Sequence, residues 1–273
     1  MKMLVIQNRV CEHIEDSLKN VEMHVASRQT NKVDMIVLPE MFSTPYEVSL
    51  FEKYAQDDTS IVIRFCRELA MKHYVYVVGG SVPEKYKGSL YNTTYIFNRQ
   101  GELVKKYRKI HLFSITFPDG SVFKESDVLS PGNELGVFET EFGLMGIMIC
   151  FDIRYPLLAD KLTEHGVKAI IVPGAFNDYT GPKHWETTFR SRAIDNQVFM
   201  IGCSPSSDSF GNYSTYGHSL VVDPLGGIMK KLGDKEGIVE VVCDFNDITN
   251  VRKRLPILKN RRNLEHLNTE LKK

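Results

Sequence analysis

Three residues of this 273-residue chain have side chains that together could cleave an acyl bond. Glu40 is a carboxylate, Lys109 is a cation and Cys150 is a thiol. A thiol with a pKa of about 8.5 is mostly protonated at neutral pH, so a nucleophilic cysteine needs a base that takes its proton. A fixed ammonium group can stabilise the negative charge that develops on a carbonyl oxygen under attack. These residue types therefore predict acyl transfer through a thioester.

Cys150 directly follows an apolar run, Leu144 to Ile149, which has the length and composition of a buried strand. Arg154 and Pro156 are predicted to open the next helix, since proline is tolerated in a first helical turn. We therefore expect Cys150 on a strand-to-helix turn, with the backbone N–H of Phe151 as an oxyanion donor beside it. The alternative is a buried structural cysteine, which is common after an apolar strand.

Glu40 and Lys109 also lie at the ends of predicted strands. The apolar segment Val33 to Leu38 leads into Glu40, and Lys109 follows a hairpin strand, Glu102 to Tyr107. Because strand ends carry functional groups in α/β proteins, we expect one sheet edge to bring Glu40, Lys109 and Cys150 together. Taken singly, Glu40 would be an exposed loop acid and Lys109 a surface lysine.

Strand and helix patterns alternate along the chain, with hairpins between some of them, which predicts an α/β fold with mixed sheets. The segment Tyr74 to Val82 is predicted as one continuous strand. Residues 113 to 135 are predicted as a long loop that contains Glu125, and loops of this length inside a compact domain are usually functional. Glu125 would otherwise be a solvent-facing acid, and Arg154 would pair with Asp152 or with an acid on a helix surface.

The composition limits the class of protein. The 34 Lys and Arg residues balance 34 Asp and Glu residues, which gives no bulk charge for binding nucleic acid. Five widely spaced cysteines include no Cys-x-x-Cys pair, which argues against a disulfide framework or a zinc ribbon. No run approaches the roughly 20 apolar residues of a membrane span, and the N-terminus lacks the pattern of a signal peptide. We expect a single domain over residues 1 to 273, with a C-terminal arm from about residue 256, in the cytoplasm.

Three motifs resemble, in their usual order, the catalytic motifs of the nitrilase or carbon–nitrogen hydrolase superfamily. They are Val37-Leu-Pro-Glu40, Tyr107-Arg-Lys109-Ile-His-Leu112 and Ile149-Cys150-Phe-Asp-Ile-Arg154. The resemblance covers roughly residues 3 to 260 and implies a four-layer αββα sandwich. It also implies Cys150 as nucleophile, Glu40 as general base and Lys109 as oxyanion stabiliser. Glu125 matches a second glutamate that positions the substrate amide and Lys109. Members commonly form stacked dimers, so a homodimer is expected, and neither a metal nor an organic cofactor is implied.

Within this superfamily the chain is most similar to the omega-amidase branch, which hydrolyses the terminal amide of 2-oxoglutaramate and 2-oxosuccinamate. The similarity rests on segments such as 173–177 and 180–186, whose sequences are Pro-Gly-Ala-Phe-Asn and Thr-Gly-Pro-Lys-His-Trp-Glu. It implies that Arg154, Phe176 and Thr180 hold the carboxylate end of the substrate. Tyr46 matches a further pocket residue.

Two residues depart from the branch, and other substrates are compatible with the same catalytic residues. Glu47 and Ser114 stand where glycine and aspartate are often found, and both departures concern the outer pocket. A nitrilase or an N-carbamoyl amide hydrolase would use the same three catalytic residues, but Arg154 and Thr180 favour a small anionic amide. A binding protein on this scaffold would be expected to have lost one of the three. We therefore expect hydrolysis of a small carboxylate-bearing ω-amide, with release of ammonia.

Overall fold

The computed structural model describes residues 1 to 262, which form two large mixed β-sheets packed face to face. The strands of the first sheet are β1 (Lys2–Gln7), β2 (Met35–Val37), β3 (Tyr76–Val78), β4 (Val82–Tyr86), β5 (Ser89–Phe97), β6 (Leu103–Arg108) and β15 (Gly237–Val242). The strands of the second sheet are β9 (Val137–Thr140), β10 (Gly143–Ile147), β11 (Ala169–Pro173), β12 (Phe199–Cys203), β13 (Leu220–Val222) and β14 (Ile228–Lys231). A separate small hairpin is formed by β7 (Ser114–Thr116) and β8 (Val122–Lys124).

The strand orders are β15-β1-β2-β3-β5-β4 in the first sheet, where β6 also pairs with β5, and β14-β13-β12-β11-β10-β9 in the second. The helices are α1 (Ile14–Ala26), α2 (Ile61–His73), α3 (Pro156–Glu164), α4 (Gly181–Asn196), α5 (Asn246–Arg254) and α6 (Ile257–Asn260). Residues of α1 and α2 share one apolar core with the first sheet, whereas residues of α3 and α4 pack in the core of the second sheet.

Alternation along β1 shows why the sheets lie in the middle of the molecule. Met3 and Val5 point into the core between the two sheets, while Leu4 and Ile6 point into the core beneath α1 and α2. Because successive side chains of a strand face opposite sides, a strand that is apolar at every position must be covered on both faces. The predicted α/β fold, a four-layer αββα sandwich with mixed sheets, is confirmed.

The first and the last strand of the described chain pair with each other in the first sheet. Strand β1 pairs with β2 in parallel and with β15 antiparallel, over six residue pairs from Lys2 with Val242 to Gln7 with Gly237. The Gln7 side chain accepts a hydrogen bond of 2.8 Å from the backbone N–H of Ser219, which ties β1 to the start of β13. The second neighbour of β1 is therefore supplied by residues 230 to 240 positions later in the chain.

Two predicted elements are wrong. The single strand from Tyr74 to Val82 is divided into β3 and β4, because Gly80 has a φ of 48° and the chain bends there. The helix predicted to open at Arg154 begins later, at Pro156, since residues 150 to 154 form a tight 3₁₀ turn. The predicted loop from 113 to 135 folds in part, as the β7–β8 hairpin and a 3₁₀ turn at Glu125–Asp127.

The C-terminal arm predicted from about residue 256 begins as helix α6. Arg261, just beyond the end of this helix, contacts Asp160 of α3 at 3.2 Å. Residues 263 to 273 of this arm lie outside the described residues. The single-domain assignment stays a prediction. No helix within residues 1 to 262 combines the length and the apolar character needed to cross a bilayer.

Candidate active site

Cys150 lies just after β10, as the first residue of the 3₁₀ turn Cys150–Arg154. Its φ of 46° is in the left-handed region, which costs a residue with a Cβ about 1 to 3 kcal/mol and persists only because the surrounding contacts enforce it. The side chain is buried and forms a hydrogen bond with the Glu40 carboxylate. The strained turn therefore directs the thiol toward a carboxylate that follows β2 in the other sheet.

Asp152 holds this turn in place by accepting four hydrogen bonds. One carboxylate oxygen accepts from the Ile149 N–H at 3.0 Å and from the Tyr107 hydroxyl at 2.8 Å. The other accepts from the His111 N–H at 2.9 Å and from its ring Nδ1 at 2.8 Å. The alternative that Arg154 pairs with Asp152 is therefore wrong, since Asp152 is fully used by the hairpin and by its own turn.

A buried charge cluster lies beside the thiol. The Lys109 Nζ atom is 3.0 Å from Glu40 Oε1 and 2.8 Å from Glu125 Oε2, and all three side chains are fully buried. The Tyr46 hydroxyl donates to Glu125 Oε1 at 2.9 Å and lies 3.4 Å from Lys109 Nζ. The structure thus brings together Glu40, Lys109, Glu125 and Cys150, as the sequence predicted.

These residues do not meet at one sheet edge, and that expectation is wrong. Glu40 and Lys109 follow β2 and β6 of the first sheet, whereas Cys150 follows β10 of the second. The cluster forms because the two sheets pack face to face. It therefore lies between the ends of strands from both sheets.

Further donors hold the two carboxylates. Glu40 Oε2 accepts from the Ala175 N–H at 2.8 Å, and Glu125 Oε2 accepts from the Phe113 N–H at 2.6 Å. The Asn92 amide donates to both acids, at 2.8 Å to Glu40 Oε1 and 3.2 Å to Glu125 Oε1. In addition, the Asn92 backbone carbonyl accepts the Lys109 N–H at 2.8 Å. Asn92 therefore holds both carboxylates through its side chain and the main chain of Lys109 through its carbonyl, a role that the sequence did not predict.

The protonation states follow from burial and charge. Burial raises the pKa of Glu40 above its ordinary 4.5, Lys109 opposes the change and Glu125 adds to it. Burial also raises the pKa of the Cys150 thiol well above its ordinary value, with a further contribution from Glu40. Burial alone would lower the pKa of Lys109, but Glu125 and Glu40 hold it above its ordinary value. The site thus contains a permanent ammonium group and a thiol that stays protonated until a base takes its proton.

The Cys150 thiol faces a small cavity that three of the four predicted substrate-binding residues also line. Its lining is Phe113, Cys150, Phe151, Arg154, Ala175, Phe176, Thr180 and Tyr213. The Arg154 guanidinium lies 4.6 Å from the centre of the Phe176 ring, and its Nη1 is 2.9 Å from Nδ1 of His184. Within residues 1 to 262, the buried Arg154 Nε has no hydrogen-bond partner and no carboxylate forms an ion pair with this arginine.

Tyr46, the fourth predicted binding residue, does not line this cavity. It lines a larger outer cleft of about 830 Å³ together with Glu47 and Tyr213, and Tyr213 is shared by both spaces. Glu47 accepts a hydrogen bond of 2.6 Å from the Asn212 N–H, which ties two loops of the cleft wall together. Ser114 is exposed on β7 and does not line the cleft. Tyr46 therefore acts on the charge cluster and the outer cleft rather than on the inner cavity.

Comparison with known proteins identifies the family. The carbon–nitrogen hydrolase family matches residues 5 to 253. The chain belongs to this family. The hydrolase is 39% identical over 262 residues to omega-amidase NIT2 of Danio rerio, covering 96% of this chain and 95% of that protein. It is 40% identical over 243 residues to omega-amidase NIT3 of Saccharomyces cerevisiae, covering 87% of this chain and 84% of that protein. The crystal structure of Nit3 from S. cerevisiae, a member of branch 10 of the nitrilase superfamily, superposes with a TM-score of 0.88 at 36% identity and 96% coverage of both chains.

The predicted class of enzyme, a hydrolase of carbon–nitrogen bonds in the nitrilase superfamily, is confirmed. The residues of this carbon–nitrogen hydrolase that contact the site and were not predicted include Asn92, Tyr213 and His184. His184 lies in the segment from 180 to 186 that carried the resemblance, but the segment alone gave it no role. Within the described range, no group of three or more His, Cys, Asp or Glu residues is arranged to hold a metal ion.

Proposed function

We propose that this enzyme hydrolyses the amide of small ω-amide acids, such as 2-oxoglutaramate and 2-oxosuccinamate. The observation that carries this proposal is the Arg154 guanidinium, which reaches the same small cavity as the Cys150 thiol. The similarity of the whole chain to two proteins named omega-amidase supports the same substrate class.

Arg154 supports an anionic substrate because it is a half-buried cation with which no acid within residues 1 to 262 forms an ion pair. Burial lowers the pKa of Arg154, which shows that its surroundings disfavour the charged form. A substrate carboxylate would offset this cost with a charge-assisted hydrogen bond, and guanidinium groups match carboxylates in geometry. Since the thiol and the guanidinium line one small cavity, the carboxylate and the scissile carbonyl must be only a few bonds apart.

The acylation step follows from the contacts of the cluster. The Cys150 sulfur attacks the amide carbonyl while Glu40, which is hydrogen-bonded to the thiol, takes its proton. The Lys109 ammonium and the Phe151 N–H donate to the developing oxyanion. Glu40 then passes the proton to the departing nitrogen, the C–N bond breaks and ammonia leaves. The product of this half-reaction is a thioester on Cys150.

Hydrolysis of the thioester uses the same groups again. Glu40 takes a proton from water, the resulting hydroxide attacks the thioester carbonyl, and Lys109 again stabilises the oxyanion. The C–S bond breaks and the sulfur takes back a proton from Glu40. Glu125 keeps Lys109 and the Tyr46 hydroxyl in place through its two oxygens and positions the substrate amide.

Ammonia release from a matched panel tests the proposal. The panel contains 2-oxoglutaramate, succinamate, an uncharged short amide, a nitrile and an N-carbamoyl amino acid, which cover the nitrilase and N-carbamoyl alternatives. We expect the highest kcat/KM with the two ω-amide acids, an acyl adduct on Cys150 by intact-mass analysis, and almost no turnover by Cys150→Ala. An active Cys150→Ala variant would exclude the nucleophile, and a preference for the uncharged amide would exclude the substrate class.

We also propose that the enzyme acts as a homodimer in the cytoplasm. Leu157 of α3 is 75% exposed and Ile194 of α4 is 39% exposed, so the outer helical layer carries apolar side chains that a second copy can cover. All five cysteines are free, as is usual in a reducing compartment. Light scattering should give twice the chain mass for the wild type and a smaller mass for Leu157→Glu, and a monomeric wild type would exclude the dimer.

A further inference from the structure

A contact with His184 keeps the Arg154 side chain directed into the cavity. A guanidinium group has five N–H donors and no acceptor, so its 2.9 Å contact with Nδ1 of His184 requires that this nitrogen accept. His184 is therefore the neutral tautomer with its hydrogen on Nε2. Within residues 1 to 262, Nδ1 of His184 is the one protein atom that accepts a hydrogen bond from the Arg154 side chain.

Helix α4 holds both the main chain and the guanidinium group of Arg154. His184 is in the first turn of α4, where its N–H bonds to the carbonyl of Thr180 at 2.9 Å, and Thr180 lines the cavity. Further along α4, Arg192 donates to the carbonyls of Ile153 at 3.0 Å and of Arg154 at 3.4 Å. One rigid helix thus holds the main chain of Arg154 through Arg192 and its guanidinium through His184.

The charges around His184 favour its neutral form. Burial lowers the pKa of His184, and the charges of Arg154 on the nucleophile turn and Lys183 on its own helix lower it further. Among the described residues no carboxylate forms an ion pair with His184. The imidazole therefore offers Arg154 an acceptor without offering it a negative charge.

A neutral acceptor and an acid would act differently at this position. An aspartate or glutamate would hold the guanidinium equally well but would also neutralise it, and the substrate carboxylate would then have to displace a protein carboxylate. A neutral imidazole satisfies one N–H and leaves the full positive charge, and the remaining donors, for the substrate.

We propose that His184 is a positioning residue that determines selectivity for carboxylate-bearing amides, because it orients the Arg154 guanidinium toward the cavity while leaving its charge uncompensated. This inference rests on the proposed function, in which Arg154 binds the substrate carboxylate. His184 does not line the cavity itself and acts through its contact with Arg154.

Three substitutions separate the acceptor from the charge. His184→Leu removes the acceptor, His184→Asn keeps an uncharged oxygen near the place of Nδ1, and His184→Asp adds a competing carboxylate. We expect His184→Leu to raise KM for succinamate about 10-fold or more, the size expected when a buried donor loses its partner, with kcat little changed. His184→Asn should restore KM to within a few-fold of the wild type. His184→Asp should raise KM at least as much as His184→Leu.

The uncharged short amide is the control substrate, and Thr187→Ala, on the exposed side of the same helix, is the control variant. The His184 variants should change kcat/KM for the uncharged amide by no more than about two-fold. Thr187→Ala should change kcat/KM for either amide by no more than about two-fold. Equal losses for the charged and uncharged amides, or wild-type kinetics for His184→Leu, would overturn the inference. Should His184→Leu fail to fold, a His184→Asp enzyme as active on succinamate as His184→Asn would overturn it.

Arg154→Ala, measured with the same two amides, separates this inference from the proposed function. If Arg154→Ala loses kcat/KM equally for both amides, the proposed anionic substrate class fails. If Arg154→Ala loses kcat/KM only for the charged amide while the kinetics of His184→Leu match those of the wild type, the inference about His184 fails and the proposed function stands.

Discussion

Replacement of Lys109 by methionine tests the charge cluster most directly. Methionine has a similar length and no charge, so the change removes the ammonium group without leaving a large cavity. In the wild type this group is fully buried and lies within 3.0 Å of Glu40 and 2.8 Å of Glu125. The variant therefore keeps two buried carboxylates and loses the one cation between them.

The loss of activity and the loss of stability have different sizes. One missing oxyanion donor lowers kcat by about 10²- to 10³-fold. Removing one partner of a buried ion pair costs about 3 to 5 kcal/mol, because an uncompensated charge stays buried. For a chain of this size each kcal/mol shifts Tm by roughly 2 to 4 °C, so at pH 8 we expect Lys109→Met to melt about 6 to 20 °C below the wild type.

The loss of stability should depend on pH in a defined direction. Burial already raises the pKa of Glu40 above 4.5, and Lys109 is the main group that opposes this change. Without Lys109 the folded state therefore binds more protons than the unfolded state at pH values above about 4.5. By linkage, the stability of the variant falls as pH rises through the raised pKa. The difference in Tm from the wild type should thus be smaller at pH 5 than at pH 8.

Thermal denaturation at pH 5, 6, 7 and 8 and ammonia release from succinamate measure these effects. Lys72→Met is the matched control, since Lys72 forms an exposed ion pair with Glu22 that is worth about 0 to 1 kcal/mol. A Lys109→Met enzyme with wild-type kcat would refute the oxyanion role. A difference in Tm that is constant from pH 5 to pH 8 would refute the electrostatic reasoning.

Two further variants test the base and the amide that holds it. Glu40→Gln should lower kcat by about 10²- to 10⁴-fold. In the wild type the raised pKa of Glu40 should place the acid limb of kcat/KM above pH 4.5, with activity lost as pH falls through that pKa; a limb at or below pH 4.5 would contradict the assignment. Asn92→Ala removes a hydrogen bond to the ionised Glu40 and should shift the same limb upward by about 1 to 2 pH units, because such a bond is worth about 1.5 to 3 kcal/mol. An unmoved limb in Asn92→Ala would show that Asn92 supports the fold only.

The meeting of Glu40, Lys109 and Cys150 could be predicted because each follows a strand that the local sequence indicates. Glu40 and Cys150 come after the short strands Met35–Val37 and Gly143–Ile147, in which only Gly143 and Gly146 interrupt the Val, Ile, Leu and Met residues, and such runs are visible without tertiary information. The expectation of one sheet edge failed, because the pattern of a strand does not reveal to which sheet it belongs. Two sheets that pack face to face produce the same cluster from strands of both.

Asn92 and the turn after Cys150 could not be predicted from local patterns. Asn92 is fully buried although it is polar, because its partners Glu40 and Glu125 come from segments 52 and 33 residues away. The 3₁₀ turn that precedes α3 depends on the four hydrogen bonds to Asp152, two of which come from His111 on the hairpin side. Local propensity contains no information about such long-range donors.

The pairing of β1 with β15 has a consequence for how the chain folds during its synthesis. At about 5 to 20 residues per second, a ribosome needs on the order of 10 to 50 seconds after completing β1 before residue 242 is available. Until then one edge of β1 presents unsatisfied N–H and C=O groups flanked by Met3, Leu4 and Val5, a template onto which other chains can add. A nascent or truncated chain that stops before Gly237 keeps this edge open. Aggregation should therefore compete most strongly with folding in the last stage of translation.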